Sequence, residues 1–152
     1  MFRKIPYYKL LLFVLLIVGC ASNVTENENQ NDESTWGGSA CSMSEDSIHI
    51  KANGQVLYNI STDITGFQFK VDGATVLGAS GGAAGDAGFS VTTGNNIVLG
   101  FSFNGTTIPA GCSELVNLSL NQSPSMLSQI IFSIENGESI SIEYFSGEWC
   151  SY

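Results

Sequence analysis

Basic residues are scarce in this sequence after position 20, where only Lys51 and Lys70 occur and arginine is absent. All 14 acidic residues lie in the same part of the chain, which therefore carries a net charge of −12. Nucleic-acid-binding proteins need clustered lysine and arginine to displace phosphate counterions, and guanidinium groups are the usual clamps for phosphate ligands. The composition therefore argues against nucleic acid as a partner and against phosphate ligands.

Zinc-binding motifs are also missing. The chain has one histidine, His49, and no Cys-x-x-Cys pair, so it lacks the ligand set of a structural zinc site. Three cysteines, Cys41, Cys112 and Cys150, follow Cys20. In an exported protein this odd number predicts one disulfide and one free thiol. Cys112 with Cys150 is the favoured pair, and Cys41 with Cys150 is the alternative.

The N-terminus has the pattern of an export signal. Three basic residues precede an apolar run at residues 10–18, which is too short to span a membrane. The run ends in Ile-Val-Gly-Cys at residues 17–20, which resembles the lipobox of bacterial lipoproteins, where the cysteine is acylated and becomes the mature N-terminus. We therefore predict a signal peptide at residues 1–19 and lipidation of Cys20. An ordinary signal peptide that ends near a cysteine is the alternative.

Residues 20–35 are predicted to form a lipidated, disordered tether. Positions 21–35 contain four acids, no aromatic residue and one β-branched aliphatic residue. Such a segment buries too little apolar surface to offset the entropy of ordering, and charge repulsion extends it. Residues 36–152 are long enough for one domain with one core. We expect the tether to hold this domain away from the membrane.

The predicted domain alternates apolar and polar side chains with the period of β-strands. Two Asn-Gly pairs, Asn53-Gly54 and Asn136-Gly137, each lie between two such runs, and this is a strong hairpin signal because both turn residues must accept positive φ. No segment has a convincing helical pattern, apart from one possible turn at residues 123–128. Eight or nine short strands predict an all-β fold, an antiparallel β-sandwich of jelly-roll or immunoglobulin-like type.

The same alternation assigns the phenylalanines to the core. Phe67, Phe69 and Val71 share one face of a strand predicted at residues 64–72. In the strand predicted at residues 96–103, one face carries four large apolar side chains, Ile97, Leu99, Phe101 and Phe103. We expect both faces to pack inside the sandwich.

The segment GASGGAAGDAGF, at residues 78–89, contains the Gly-x-Ser-x-Gly pattern of a hydrolase nucleophile elbow. An elbow needs a strand, a sharp turn, a helix and a histidine base. Gly85 and Gly88 are expected to interrupt any helix, and His49 lies in a predicted strand, so Ser80 is interpreted as a loop residue. A phosphate loop would need a lysine that this segment lacks. The carboxylates that a glycosidase would use fall mostly at turns. We therefore predict no catalytic residue and no cofactor.

Five short motifs follow one another within residues 47–145: GFQF with VDG at residues 66–73, GGAA at 81–84, AGF at 87–89, VLGFSF at 98–103 and IPAG at 108–111. Together they resemble a β-module of secreted and surface proteins of marine and Bacteroidetes-like bacteria. That module is in turn similar to cohesin modules, which share a fold with some carbohydrate-binding modules. The resemblance implies a non-enzymatic jelly-roll sandwich that recognises a protein or a glycan. Cohesins bind dockerins through one sheet face.

These observations predict a lipid-anchored binding module of the bacterial cell envelope, at the outer membrane or the cell surface. Its partner is a polysaccharide or an envelope protein; a structural or assembly lipoprotein without glycan binding is the alternative. Exposed aromatic rings serve as stacking platforms for sugars, and the candidates are Trp36, Tyr144, Trp149 and Tyr152. Packing of Trp149 and Tyr152 over the end of the sandwich, beside a Cys150 disulfide, is the competing interpretation.

Calcium is a secondary expectation. Three carboxylates at predicted turns, Asp63, Asp72 and Asp86, are the candidate ligands if they line one end of the sandwich.

Overall fold

The computed structural model describes residues 37–147. They form two five-stranded sheets that pack as a β-sandwich, with ten strands and one short helix. This confirms the predicted fold class, with one strand more than expected. The elements in chain order are β1 (Ser47–Ile50), β2 (Gln55–Ile60), β3 (Gly66–Asp72), β4 (Val76–Ser80), α1 (Gly82–Asp86), β5 (Ser90–Gly94), β6 (Ile97–Phe101), β7 (Gly111–Leu120), β8 (Met126–Ser133), β9 (Ser139–Ile140) and β10 (Glu143–Tyr144).

Sheet 1 has the strand order β10-β1-β2-β7-β4, and sheet 2 has the order β5-β6-β3-β8-β9. Neighbouring strands are antiparallel except β1 and β10, which are parallel. Only β1–β2, β5–β6 and β8–β9 are hairpins within one sheet. The other connections cross between the sheets, as is usual in Greek-key sandwiches.

Both predicted Asn-Gly hairpins are present, but their turns differ. At the β8–β9 turn, Asn136 and Gly137 have φ of 69° and 76°, so both residues take the positive values expected. At the β1–β2 turn only Gly54 does so, with φ of 92°. There the Lys51 N–H donates to the Gln55 carbonyl at 2.8 Å, which closes a longer loop than the two-residue turn that the sequence predicts.

The core lies between the two sheets and is rich in phenylalanine, as predicted for β3. The Phe67 ring centroid lies 5.9 Å from that of Phe69, 6.2 Å from that of Phe89 and 6.0 Å from that of Phe132. All four rings are buried, together with Val71. Ring pairs at these distances add to the stabilisation from burial itself.

The prediction for β6 is wrong, because this strand turns its other face inward. Val98 is fully buried, whereas Leu99 is 39% and Phe103 is 79% exposed. Gly100 also faces the core, where a Cβ atom would overlap the ring of Phe67. The bulky Phe67 ring therefore matches the one position of β6 without a side chain, and the large apolar residues of β6 face outward.

A short helix follows β4, although none was expected there. Gly81 and Gly82 have φ of 70° and 64°, and a Cβ at Gly82 would lie 2.6 Å from the Leu115 carbonyl. Glycine is needed here both for its backbone conformation and for this close approach. Ala84 of α1 is fully buried. The single turn expected at residues 123–128 is absent, and β8 begins at Met126 instead.

Within the described residues there is one disulfide, and it joins Cys41 to Cys112 with a Cα–Cα distance of 5.0 Å. The favoured pair, Cys112 with Cys150, and the alternative pair, Cys41 with Cys150, are therefore both wrong. No pattern in the sequence indicates that residues 40–43 lie on the outer face of sheet 1, where Met43 packs with Leu57 beside Cys112. The bond indicates an oxidising, extracytoplasmic compartment.

The predicted signal peptide, Cys20 and the tether lie outside the described residues, as does Cys150. Between residues 37 and 147, no helix has the length and apolar character needed to cross a membrane.

Candidate functional site

The outward side of sheet 2 exposes a group of large apolar side chains, which we call the apolar face. Met126 is 42% and Ile131 is 48% exposed, besides the exposed Leu99 and Phe103. Ile97 and Phe101 are half-buried on the same side of β6. The apolar face comprises Ile97, Leu99, Phe101, Phe103, Met126 and Ile131.

Strand register brings this face together around Gln68 in the central strand β3. Gln68 pairs with Leu99 of β6 on one side and with Ile131 of β8 on the other. Because neighbouring strands are about 4.8 Å apart, the two apolar residues are separated by about 10 Å across the face. Leu99 and Ile131 therefore lie on either side of the Gln68 amide, and Lys70 and Asp72 follow Gln68 on the same side of β3.

A β-bulge in β8 directs Ile131 outward. Ser128 pairs with Lys70 and Ile131 pairs with Gln68, so three residues of β8 span what two residues of β3 span. The extra residue lies near Gln129, whose φ is 50°. An unbroken strand would turn Ile131 into the core, because side chains alternate.

Phe103 follows β6 in a loop with a dense set of hydrogen bonds. Ser102 Oγ accepts from the backbone N–H groups of Asn104, at 3.3 Å, and Thr106, at 3.0 Å. The Thr106 hydroxyl lies 2.7 Å from Ser102 Oγ and donates to the Ala87 carbonyl at 2.7 Å. The Phe103 ring meets the Phe101 ring edge to face, with centroids 4.7 Å apart. Hydrogen bonds thus hold the loop, and the exposed ring of Phe103 packs against the ring of Phe101.

Charge is nearly absent from the apolar face. Residues 87–113 and 115–134 contain no charged side chain, so β5, β6 and β8 are uncharged. The outward residues of β3 include Lys70 and Asp72, which form an ion pair at 3.6 Å. In a chain with so many acids, this neutral surface is an exception. The long uncharged stretches were the sequence signal that could have revealed it.

Several exposed carboxylates lie at the end of the sandwich that carries Phe103, and four of them belong to segments that adjoin sheet 2 or the Phe103 loop. Asp63 precedes β3, and its Oδ1 accepts from the Ala110 N–H at 2.8 Å. Asp86 ends α1, next to the residue that bonds to Thr106. Glu135 and Glu138 belong to the β8–β9 turn. Lys51 and Lys70 both lie towards the other end of the sandwich.

Of the predicted stacking residues, only Tyr144 lies within the described part of the chain; Trp36, Trp149 and Tyr152 lie outside it. Tyr144 is half-buried, and its ring stacks on that of His49 with centroids 5.9 Å apart. Burial raises the pKa of its hydroxyl, partly offset by a hydrogen bond with the Ile50 backbone. Tyr144 therefore does not present an open platform for a sugar ring.

His49 is part of the same cluster and is half-buried, not fully solvated. Its Nδ1 lies 2.7 Å from the Phe145 carbonyl and so carries a proton that it donates. Burial lowers the pKa of His49, and the nearby charge of Lys51 lowers it further, while the bond to Phe145 opposes both.

Ser80 and His49 do not form a catalytic pair. Ser80 ends β4 and α1 follows it, so a strand and a helix do flank the Gly-x-Ser-x-Gly pattern. However, His49 lies in β1, and strands β2 and β7 separate β1 from β4. Three strand spacings amount to about 14 Å, far beyond hydrogen-bond reach.

The calcium candidates do not converge. Asp63 precedes β3 and Asp72 ends it, so the two are separated by the length of the strand, about 23 Å. Asp86 lies at the same end as Asp63 but not near Asp72. Among residues 37–147, no three His, Cys, Asp or Glu side chains are grouped so that they could hold a metal ion.

Comparison of the chain with protein-family models, with curated proteins and with solved structures gives no significant match. The fold defines the class of protein as a disulfide-bonded, two-sheet β-sandwich domain.

Proposed function

We propose that this chain is a non-catalytic binding module of a bacterial cell envelope, anchored through lipidated Cys20, which recognises a protein partner through the apolar face. The observation that carries this proposal is a group of six large apolar side chains on one sheet surface, four of them exposed and two half-buried. Contiguous exposed apolar patches are uncommon on monomeric soluble proteins and usually mark interaction sites.

The composition of the apolar face favours a protein over a glycan. Sugar sites combine aromatic rings with amides and carboxylates that bond to hydroxyls, whereas this face is mostly aliphatic and offers Gln68 as its central amide. The resemblance to cohesin modules, which use one sheet face, supports the same interpretation. The disulfide supports export, and the lipobox-like residues support an anchor at the outer membrane or the cell surface.

The proposal is tested with the full chain, purified in detergent from the native envelope. We compare wild type, the double variant Leu99→Gln/Ile131→Gln, and the control Leu77→Gln, which changes a 65% exposed leucine of β4 in sheet 1. We expect one stoichiometric partner to be retained by wild type and by the control, and lost by the double variant. Equal retention by all three would contradict the proposal.

Two further measurements separate the alternatives. Electrophoresis through gels that contain polysaccharides tests for a glycan, and retardation abolished by Leu99→Gln/Ile131→Gln would replace the protein partner with a sugar. Metabolic labelling with a fatty acid tests the anchor. Cys20→Ala should remove the label, and a fully labelled variant would exclude lipidation at this cysteine.

A further inference from the structure

We propose that Phe103 is the anchor residue of the apolar face, and that it inserts into an apolar pocket of a protein partner whose rim carries lysine and arginine. This inference rests on the proposed function and adds to it the contact residue and the chemistry of the partner.

The ring of Phe103 is suited to this role because it is exposed on a loop that hydrogen bonds hold in place. It is 79% exposed, more than any other large apolar side chain on the face. Four hydrogen bonds hold the backbone of its loop, and the edge contact with Phe101 favours one orientation of the ring before binding. An ordered side chain loses little conformational entropy on association, so more of its burial contributes to affinity. Aromatic residues that fill a pocket of the partner often dominate the affinity of an interface.

Charge around Phe103 specifies the rim of the partner. The exposed acids at this end of the sandwich include Asp63, Asp86, Glu135 and Glu138, and both described lysines lie towards the other end. A basic rim would complement these acids and accelerate association. A second copy of the chain would bring like charges together, so a homodimer through this face is disfavoured.

The polar groups beside Phe103 leave little for a sugar to bind. The hydroxyls of Ser102 and Thr106 already bond within the loop and to Ala87. A ring flanked by satisfied hydroxyls and aliphatic side chains fits an apolar pocket better than a hydroxylated ligand.

The test uses photocrosslinking of the full chain in native cells. Benzoylphenylalanine is placed at position 103, at position 131 on the same face, or at position 77 on the other sheet. We expect positions 103 and 131 to crosslink to the same protein, with a yield at position 77 about tenfold lower. Mass spectrometry of the product at position 103 should place lysine or arginine beside the crosslinked residue of the partner.

The charge argument is tested in the chain with benzoylphenylalanine at position 103. Glu135→Gln/Glu138→Gln should reduce the crosslinking yield about threefold or more, because the acids steer and hold a basic rim. The control Glu143→Gln removes an exposed acid at the same end of the sandwich but in β10 of sheet 1, and it should leave the yield unchanged.

Each other outcome overturns a defined part of the reasoning. A crosslinked product with twice the mass of the chain would make the partner a second copy. Equal yields with and without Glu135→Gln/Glu138→Gln would remove the basic rim. Crosslinking from position 131 but not from position 103 would refute the anchor and leave the proposed function intact. No protein crosslink from either position would refute both.

Discussion

Removal of the Cys41–Cys112 disulfide should cost a large part of the stability of the domain. The two cysteines are 71 residues apart. In the chain-entropy model, a bond that closes a loop of this length restricts the unfolded ensemble by about 4 kcal/mol at 25 °C. Because domains are stable by only about 5–15 kcal/mol, such a loss brings the protein close to unfolding.

The folded state should change little when the bond is removed. Met43 remains buried against Leu57, and the Asn59 side-chain amide still donates to the Met43 carbonyl at 2.8 Å. The segment that the bond fastens is thus also held by packing. The main effect falls on the unfolded state, so the native circular dichroism spectrum should be retained.

The assay is urea unfolding of Cys41→Ser in a Cys150→Ser background, which prevents the remaining thiols from pairing. With a slope of about 1–3 kcal/mol/M, a loss of about 4 kcal/mol moves the midpoint by about 1–4 M. Cys112→Ser in the same background should give an equal shift. The background variant alone should lie within about 0.5 kcal/mol of wild type. Destabilisation by Cys150→Ser alone as large as that by Cys41→Ser would refute the pairing.

Three further predictions concern single residues. Gly100→Ala forces a Cβ into the ring of a core phenylalanine and should lower the free energy of unfolding by about 1–3 kcal/mol. The control Gly94→Ala should leave this free energy unchanged, because a Cβ there has no atom within 4 Å. Equal urea midpoints for the two variants would contradict the prediction. Burial lowers the pKa of His49 below 6.5, so the unfolded state binds the proton more readily than the folded state. The contribution of His49 to the free energy of unfolding is therefore full above that pH and declines as the pH falls below it. His49→Gln should flatten the dependence of this free energy on pH between pH 7.5 and 5, and an unchanged dependence would assign it to other groups. Gly82→Ala should lower the melting temperature, because Gly82 has φ of 64° and a Cβ there would overlap the β7 backbone. Gly85→Ala adds a Cβ in open space and should stabilise α1 by about 0.5 kcal/mol. A melting temperature of Gly82→Ala at or above that of Gly85→Ala would contradict the close approach.

Alternation predicted the β3 face correctly because only one face of that strand is apolar. Phe67, Phe69 and Val71 alternate with Gln68 and Lys70, so burial of the first set is the only arrangement that avoids an unpaired charge in the core. Period and polarity together determine the orientation of such a strand.

The β6 strand shows where this reasoning fails. Every residue from Ile97 to Phe101 is apolar or glycine. Polarity therefore does not tell which face of the strand is buried. The structure makes that choice through Phe67, a residue of the neighbouring strand whose ring fits over Gly100. A contact between strands cannot be read from the alternation within one of them.

The predicted disulfide pairing was wrong for a related reason. Sequence spacing says nothing about which cysteines face the same side of the same sheet, and Cys112 pairs with Asn59 on the side of sheet 1 that residues 40–43 cover. The interpretation of Ser80 as a loop residue was wrong, because Ser80 is the last residue of β4. Its separation from His49 follows from the strand order, although the prediction of no helix after Ser80 was wrong.

The two sheets differ in how their outward apolar residues are covered, and this difference bears on function. On sheet 1, Leu57 is buried by residues of the chain itself, Met43 and Phe145, and a disulfide fastens that cover. On sheet 2, no segment within residues 37–147 covers Leu99, Phe103 or Ile131, and a bulge in β8 turns Ile131 outward. Because large exposed apolar patches often mark interaction sites, this difference between the two sheets supports the proposal that a separate protein binds the apolar face of sheet 2.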